Sequence, residues 1–229
     1  MLNVACHQPN FMPWLGFFYK VLKADILVIL DNVQFPLGTS WINRNRIKNK
    51  NGVLWLSVPV WKRGRGKQLI NEVEIFNERD WQKKHYLSLM HAYTKAPYFS
   101  DHLNFLKEIF NKKWKRLLDL NIVVLKYLLD ALGIKKDIIM SSSLNIDAGK
   151  QELLIKICKQ LSAGCYVNLT TSKKYIDKEL FQSEKIDIKF FSYSPIVYPQ
   201  LWGDFISNLS IIDLLLNCGN KALTIIERQ

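Results

Sequence analysis

Two short, strongly apolar runs near the start of the chain each end in a cluster of polar side chains. Residues 2–6 are followed by His7-Gln8-Pro9-Asn10, and residues 26–30 are followed by Asp31-Asn32-Val33-Gln34. Short apolar runs between turn signals are typical of buried strands, and the segment between them, which starts near Trp14, predicts a short helix. If the strands are parallel, both polar loops lie at the carboxyl edge of one sheet, where open α/β sheets bind ligands. We therefore expect His7 and Asp31 to face one cleft.

The rest of the chain alternates between strand-like and helix-like patterns, which predicts an α/β fold. Apolar runs predict strands at 53–60, 73–76, 137–140, 165–169 and 186–191, and helical periodicity predicts helices at 149–161, 173–182 and 211–216. Residues 79–133 are helical throughout and contain three helices, with Asn77 as the first N-cap and Gly133 at the end of the last. We expect residues 1–229 to form a single α/β domain. Its architecture is a Rossmann-like, mostly parallel sheet flanked by helices, with residues 79–133 as a three-helix insertion.

Length and composition indicate an ordinary globular protein. The chain has 229 residues, of which 48% are hydrophobic, so it can bury a sizeable core. No stretch reaches the roughly 18 apolar residues that span a bilayer, and the start of the chain does not resemble a signal peptide. The four cysteines form no CxxC pair or zinc-binding spacing, so we expect free thiols in a reducing compartment. These features favour a cytoplasmic protein.

The net charge of +12 and the pI near 9.5 favour acidic partners. Nucleotide-linked metabolites, acidic carrier proteins and anionic membrane surfaces all qualify. Nucleic acid stays open as a weaker alternative, because the cations are spread along the chain. A solvated, lysine-rich surface without a specific partner explains the charge equally well. The densest basic run, residues 61–67, is either a phosphate-contacting flap or a solvated hairpin loop.

His7 is the leading catalytic candidate, because a neutral imidazole at a strand end can accept a proton near pH 7. The alternative is a histidine that only hydrogen-bonds its loop. Asp31 could orient His7 or bind a substrate hydroxyl, whereas a lone carboxylate beside Asn32 is poor metal chemistry, so no metal is expected. Cys6 is favoured as a core residue, since adjacent strand residues point to opposite faces.

A second polar cluster contains Trp41, Asn43, Arg44, Asn45 and Lys48. The guanidinium of Arg44 suits a diphosphate or a carboxylate, with a structural role as the alternative. Trp41 can stack on a sugar or a base, as can the later Trp202, although core packing is expected for at least one of them.

The motifs taken together resemble the WbqC-like proteins of bacterial surface-polysaccharide gene clusters. The residues that carry the resemblance are His7-Gln8-Pro9-Asn10, Pro13-Trp14-Leu15-Gly16, and segments 31–34, 40–48, 56–60, 200–203 and 208–215. In two places this chain departs from the family pattern. Asn32 stands where a second aspartate often follows Asp31, which argues against a paired-carboxylate mechanism, and Ser207 replaces a common proline.

The resemblance implies an accessory enzyme of O-antigen (lipopolysaccharide) or related glycan assembly. By association it implies an acyl- or aminoacyl-transferase that forms an amide on a nucleotide-linked amino sugar, with His7 as general base and Asp31 beside it. We expect no tightly bound cofactor, and an activated donor that is a carrier-protein or coenzyme A thioester. The candidate substrate-binding residues are Gln8, Asn10, Trp14, Gln34, Trp41, Asn43, Arg44, Asn45, Lys48, Thr171, Gln200, Trp202 and Asn208.

Two other functions remain open from the sequence. A strand, a histidine-containing loop, a helix and a second strand are also the layout of the HxGH nucleotidyltransferase superfamily, and residues 141–143 resemble its late serine loop. The second histidine of that motif is absent, because residues 14–16 stand in its place. The other alternative is a non-catalytic module that binds glycan intermediates or a partner enzyme, consistent with the few ionisable groups in the candidate site.

Overall fold

The computed structural model describes residues 1–228 and has a mixed α/β architecture. In chain order its strands and helices are β1 (Asn3–His7), α1 (Leu15–Leu22), β2 (Ile26–Ile29), β3 (Arg44–Asn49), β4 (Gly52–Ser57), α2 (Trp81–Tyr93), α3 (Phe99–Asn111), α4 (Leu117–Ala131), β5 (Asp137–Met140), α5 (Lys150–Gln160), β6 (Cys165–Leu169), α6 (Lys178–Ser183), β7 (Asp187–Phe191), α7 (Ile211–Cys218) and α8 (Ala222–Glu227).

The main sheet has five strands in the order β5-β2-β1-β6-β7, and every neighbouring pair is parallel. This confirms the predicted Rossmann-like sheet. The strands are apolar and their side chains alternate between two covered faces, as parallel sheets require. In β1, for example, Ala5 belongs to the core on one face, whereas Val4 and Cys6 belong to the core on the other. The chain winds outward in opposite directions from β1 and β6, so the topological switch point lies between these two strands.

Strands β3 and β4 form a separate antiparallel hairpin, in which Arg46 pairs with Trp55. The sequence predicted only a basic, amide-rich segment where β3 lies. Its buried face is formed by Asn45 and Ile47, and this mixed pattern gives a weak strand signal. The run at 61–67 follows this hairpin and is almost entirely exposed, with Gly64 and Gly66 at positive φ. That geometry fits the hairpin-loop interpretation of the basic run.

The three predicted helices between β4 and β5 are confirmed as α2, α3 and α4. Gly133 follows the last of them at a φ of 69°, in the left-handed conformation that ends many helices. The expected N-cap was wrong, because α2 begins at Trp81. The Asn77 side chain instead donates to the carbonyl of Trp114 at 2.8 Å and accepts from the Trp81 indole.

Two helix starts later in the chain are set by side-chain caps. The predicted helix at 173–182 begins later, at Lys178, because the Asp177 carboxylate accepts from the backbone of Glu179 at 3.0 Å. The last predicted helix is confirmed as α7, which begins at Ile211 directly after an N-cap residue. Ser210 takes that role, since its Oγ accepts from Ile212 N at 3.3 Å.

A buried hydrogen-bond network joins the hairpin, α2, α7 and the segment between β7 and α7. We call it the tyrosine–aspartate network, and it consists of Lys48, Tyr93, Tyr198, Gln200 and Asp213. The Asp213 carboxylate accepts from Tyr93 at 2.6 Å and from Tyr198 at 2.9 Å. The Lys48 ammonium donates to Gln200 Oε1 at 3.3 Å and to two backbone carbonyls. Burial raises the pKa of Asp213, while the tyrosine hydroxyls and Lys48 oppose that rise.

Within residues 1–228, none of the helices combines the length and apolar character needed to cross a bilayer.

Candidate functional site

A cavity of ≈ 440 Å³ opens at the carboxyl ends of β1 and β6, at the switch point of the sheet. We call it the sheet-edge cavity. Its walls come from β1 and the loop after it, from α1, and from β6 and the turn after it. The polar and aromatic residues that line it include His7, Gln8, Trp14, Lys20, Tyr166, Asn168, Thr171, Ser172 and Tyr175. Open α/β sheets bind their ligands at this position, so the fold itself marks the cavity as the leading site.

His7 ends β1 and is held in one orientation. Its Nδ1 lies 2.8 Å from the Gln8 carbonyl, which can only accept, so Nδ1 carries the proton and Nε2 is the free acceptor. The edge of its ring meets Phe17 at 4.9 Å between centroids. Burial and the nearby Lys20 charge lower the pKa of His7 to about 3, and the hydrogen bond to Gln8 opposes this shift. The imidazole is therefore neutral at pH 7, and Nε2 makes no hydrogen bond with another described residue.

Lys20 is the most informative residue that the sequence analysis missed. It lies on α1, is only 2% exposed, and donates from Nζ to the Cys6 carbonyl at 2.9 Å. Burial lowers the pKa of Lys20 to about 7, with a small opposing effect from Cys6. Perturbed lysines of this kind are common at functional sites. A lysine inside the apolar run 17–21 was a signal in the sequence that could have identified it.

The β6 side of the cavity is polar and contains the predicted Thr171. The Asn168 carboxamide is held within the protein, since its Nδ2 donates to the Tyr166 hydroxyl at 3.1 Å and its Oδ1 accepts from the Ser172 hydroxyl at 3.2 Å. The Thr171 side chain is exposed, lines the cavity and makes no side-chain hydrogen bond with another described residue. The carboxamide of Gln8 is partly buried, lines the same cavity and also makes no side-chain hydrogen bond with another described residue. Their open hydrogen-bonding groups are available to a ligand.

Trp14 forms the wall between this cavity and a second one. Its indole meets Tyr193 edge-on at 4.9 Å and lies directly on Gly16, where a Cβ atom would come within 2.3 Å of the ring. Glycine is therefore required at position 16. The second cavity measures ≈ 250 Å³ and is lined by Trp14, Trp41, Arg46 and Asn208. We call it the hairpin cavity, because Trp41 precedes β3 and Arg46 lies on it.

Asp31 does not line the sheet-edge cavity. It is buried, and its carboxylate accepts from the backbone and the hydroxyl of Ser142, at 2.9 and 2.6 Å, and from Ser141 at 3.0 Å. These bonds join the carboxyl end of β2 to that of β5. The carboxylate thus holds the serine turn after β5 in place.

The remaining predicted substrate-binding residues are dispersed. Asn43 donates to the Val58 carbonyl at 3.0 Å, and Asn45 donates to Met12 at 2.7 Å, so both hold backbone segments. Lys48 and Gln200 belong to the tyrosine–aspartate network. Four others lie elsewhere. Asn10 is buried in the loop after β1, and Gln34 is exposed and forms an isolated β-bridge with Leu69. The Arg44 guanidinium lies over the Trp55 ring, and the Trp202 indole donates to the Ala92 carbonyl at 2.6 Å.

The four cysteines are free and buried. Burial, together with the neighbouring Cys158, raises the pKa of the Cys6 thiol far above its usual range, so it is a poor nucleophile. Among residues 1–228 no group of three His, Cys, Asp or Glu side chains is placed to hold a metal ion.

Comparison with known proteins identifies the family. Residues 8–225 match the WbqC-like protein family, which is nearly the entire chain. The chain belongs to the WbqC-like family. A relative in Mycobacterium tuberculosis (strain ATCC 25618 / H37Rv), the uncharacterized protein Rv1507c, is 34% identical over 224 residues, covering 97% of this chain and 96% of that protein. No solved structure matches the chain. The match covers all four lining residues of the hairpin cavity and most of those of the sheet-edge cavity, whose Cys6 and His7 lie just before the matched residues.

Proposed function

We propose that this WbqC-like protein is a transferase that forms an amide on a nucleotide-linked amino sugar, and that the reaction takes place in the sheet-edge cavity. The observation that carries the proposal is that two residues line the same cavity at the switch point of the sheet. They are a neutral His7, whose Nε2 has no hydrogen-bond partner among the described residues, and the buried Lys20. The strand order matches the first five strands of the dinucleotide-binding fold, and this favours a nucleotide-linked substrate.

His7 would act as the general base. The sugar amine attacks the carbonyl carbon of an acyl or aminoacyl thioester, so a C–N bond forms as the C–S bond breaks. The amine proton passes to His7 Nε2 and then to the leaving thiolate, which departs as a thiol. A pKa near 3 makes His7 a weak base, but it also ensures that Nε2 is unprotonated when the substrate arrives.

Lys20 would stabilise the oxyanion of the tetrahedral intermediate. Its ammonium form provides a positive charge in a cavity of low polarity, where electrostatic stabilisation is strong. Because burial lowers the pKa of Lys20 to about 7, this contribution fades as the pH rises above neutrality. The transfer rate should therefore fall on the alkaline side of pH 7.

The test uses purified protein, a panel of acyl-coenzyme A donors and UDP-, GDP- and dTDP-linked amino sugars, with product detection by mass spectrometry. We expect a mass gain that corresponds to one acyl group on one of the sugars. The His7→Gln variant should lose about 100-fold or more in rate. The exposed His91 provides a matched control, and His91→Gln should keep full activity. Equal rates for His7→Gln and the wild type would rule out the role given to His7.

Nucleotidyl transfer is the second candidate, and the strand order favours it. A histidine at the end of the first strand, next to the switch point, is also well placed to contact the phosphates of a nucleoside triphosphate. Release of pyrophosphate from a nucleoside triphosphate in the presence of a sugar phosphate would select this reaction. Amide formation without pyrophosphate release would select the first.

A further inference from the structure

The hairpin cavity has the features of a binding site, although the proposed reaction does not use it. It is lined by Trp14, Trp41, Arg46 and Asn208, and Trp14 separates it from the sheet-edge cavity. Its volume of ≈ 250 Å³ suits a single ring, so the other groups of a larger ligand would extend from the cavity onto the neighbouring surface.

Two tryptophans, one just before β3 and one on β4, are far more exposed than the buried tryptophans of the protein. Trp41 is 45% exposed and Trp55 is 40% exposed, whereas Trp81 and Trp114 are 4% and 5% exposed. The rings of Trp41 and Trp55 lie 5.3 Å apart. Leaving large apolar rings in water forgoes the stabilisation of burial, and exposed aromatic patches often mark binding surfaces. An open indole offers a flat face on which a sugar or a base can stack.

Two guanidinium groups flank these rings. The Cζ of Arg44 lies 4.3 Å from the centre of Trp55, and the Cζ of Arg46 lies 6.0 Å from the centre of Trp41. Arg46 donates to the carbonyls of Asn208 and Ser207, which fixes its position but leaves its charge uncompensated. In the described part of the chain neither arginine forms an ion pair. Two positive charges thus lie beside neighbouring indoles whose rings are tilted by 40°, an arrangement that attracts an anion.

The Asn208 side chain provides a third independent observation. Its Oδ1 is buried and has no hydrogen-bond partner within residues 1–228. The residue has a φ of 56°, in the left-handed region, and its carbonyl accepts from Arg46 at 3.0 Å. A buried acceptor without a partner costs free energy, and a ligand hydroxyl or ring N–H would satisfy it.

We propose that the hairpin cavity is a second small-molecule site, which binds a ring that carries a phosphate or a carboxylate. The ring stacks on Trp41, the anionic group lies near the guanidinium groups of Arg46 and Arg44, and a hydroxyl or N–H of the ligand donates to Asn208. A nucleoside diphosphate and an acidic sugar both provide this chemistry. The site is defined by its own residues and does not depend on the reaction proposed for the sheet-edge cavity.

The first experiment measures binding to the full-length protein by isothermal titration calorimetry. The probes are UDP, glucuronic acid and their uncharged counterparts, uridine and glucose. We expect one anionic probe to bind and its counterpart to bind about tenfold more weakly or not at all. Added salt should weaken the binding, because the anionic group lies near two cations that are only partly buried. Binding of UDP alone identifies a nucleotide site, and binding of glucuronic acid alone identifies an acidic-sugar site.

The second experiment repeats the titration with variants. Trp41→Ala should weaken binding about tenfold, because stacking is lost. Asn208→Gly keeps the left-handed backbone and removes the carboxamide, so it should weaken binding about fivefold through loss of one hydrogen bond. Two matched controls should leave affinity unchanged. Asn145→Gly changes another left-handed asparagine, and Arg79→Ala removes an exposed guanidinium from above Phe76.

The outcomes separate this site from the proposed reaction. Failure of both anionic probes to bind overturns the second site, whatever the transfer assays give. So does binding that Trp41→Ala and Asn208→Gly leave unchanged while His7→Gln weakens it, because the ligand then occupies the sheet-edge cavity. Sensitivity to Trp41→Ala and Asn208→Gly, with circular dichroism spectra like that of the wild type, supports the second site even if no acyl transfer is found.

Discussion

The tyrosine–aspartate network and the sheet-edge cavity both contain several polar side chains, but the cavity leaves some of its hydrogen-bonding groups without a partner. In the network, Asp213, Tyr93 and the Lys48 ammonium are paired with other groups of the protein. In the cavity, His7 Nε2 and the Thr171 hydroxyl have no partner among residues 1–228. Buried polar groups in proteins are normally hydrogen-bonded. The comparison shows that open hydrogen-bonding capacity, rather than polarity itself, distinguishes groups that can bind a ligand from groups that hold the fold.

The largest difference between the two regions should appear on removal of the network's central carboxylate. Asp213→Ala leaves the buried hydroxyls of Tyr93 and Tyr198 without their acceptor. We expect the free energy of unfolding to fall by about 3–5 kcal/mol, measured by urea denaturation. Asp213→Asn keeps one acceptor oxygen and should lose less. A loss below about 1 kcal/mol for the alanine variant would mean that the network does little to hold the fold.

Lys20 gives the second largest effect, and it depends on pH. Its usual pKa is 10.5, and burial lowers the pKa to about 7 in the folded protein. Between these values the unfolded chain binds more protons, so the stability of the wild type rises with pH relative to Lys20→Met. The difference should change by about 3 kcal/mol between pH 7 and roughly pH 9.5. A difference that is constant over this range, measured by urea denaturation, would show that the lysine is not desolvated.

Removal of the Ser142 hydroxyl, one of the donors to Asp31, should have an intermediate effect on stability. The Ser142 hydroxyl donates to Asp31 at 2.6 Å, whereas the exposed neighbour Ser143 donates only to the Met140 carbonyl. Thermal denaturation of Ser142→Ala should show a loss of about 2 kcal/mol, because a buried charged acceptor loses one donor. Ser143→Ala should lose about 0.5 kcal/mol or less. Equal losses for the two variants would show that Asp31 does not depend on Ser142.

Thr171 should give the smallest effect on stability. Its exposed hydroxyl has no partner in the described part of the chain, so Thr171→Val should change the free energy of unfolding by less than about 0.5 kcal/mol. The same substitution should weaken substrate binding if the sheet-edge cavity is the site. A larger loss of stability would show that the Thr171 hydroxyl helps to hold the fold.

Much of the fold was accessible from the sequence because the strands of the main sheet are short apolar runs. The predicted bounds of β5 and β6 agree with the structure, as does the end of α4 before Gly133. Strand β3 was missed because its buried face includes Asn45, whose side chain is satisfied by carbonyls of the loop after β1. Local periodicity cannot report a partner that lies far away in the sequence.

The candidate site was accessible in part for the same reason. Strand ends placed His7, Gln8 and Thr171 around one cavity, as the rule for parallel sheets requires. Lys48 and Gln200 were predicted as binding residues because they are polar, but their side chains form hydrogen bonds within the fold. Lys48 lies 152 positions from Gln200, and only the folded chain shows that they meet.

The backbone of Trp14, the residue between the two cavities, forms an isolated antiparallel bridge with Ser210. Ser210 N donates to the Arg46 carbonyl at 2.9 Å, and Ile211 N donates to the Pro13 carbonyl at 2.8 Å, so the wall between the two cavities is braced by a segment that is far away in the sequence. Strand β1 likewise pairs with β6, which lies far from it in the sequence. Both cavities therefore form only when these distant parts of the chain have folded together, and loss of the global fold should abolish both at once.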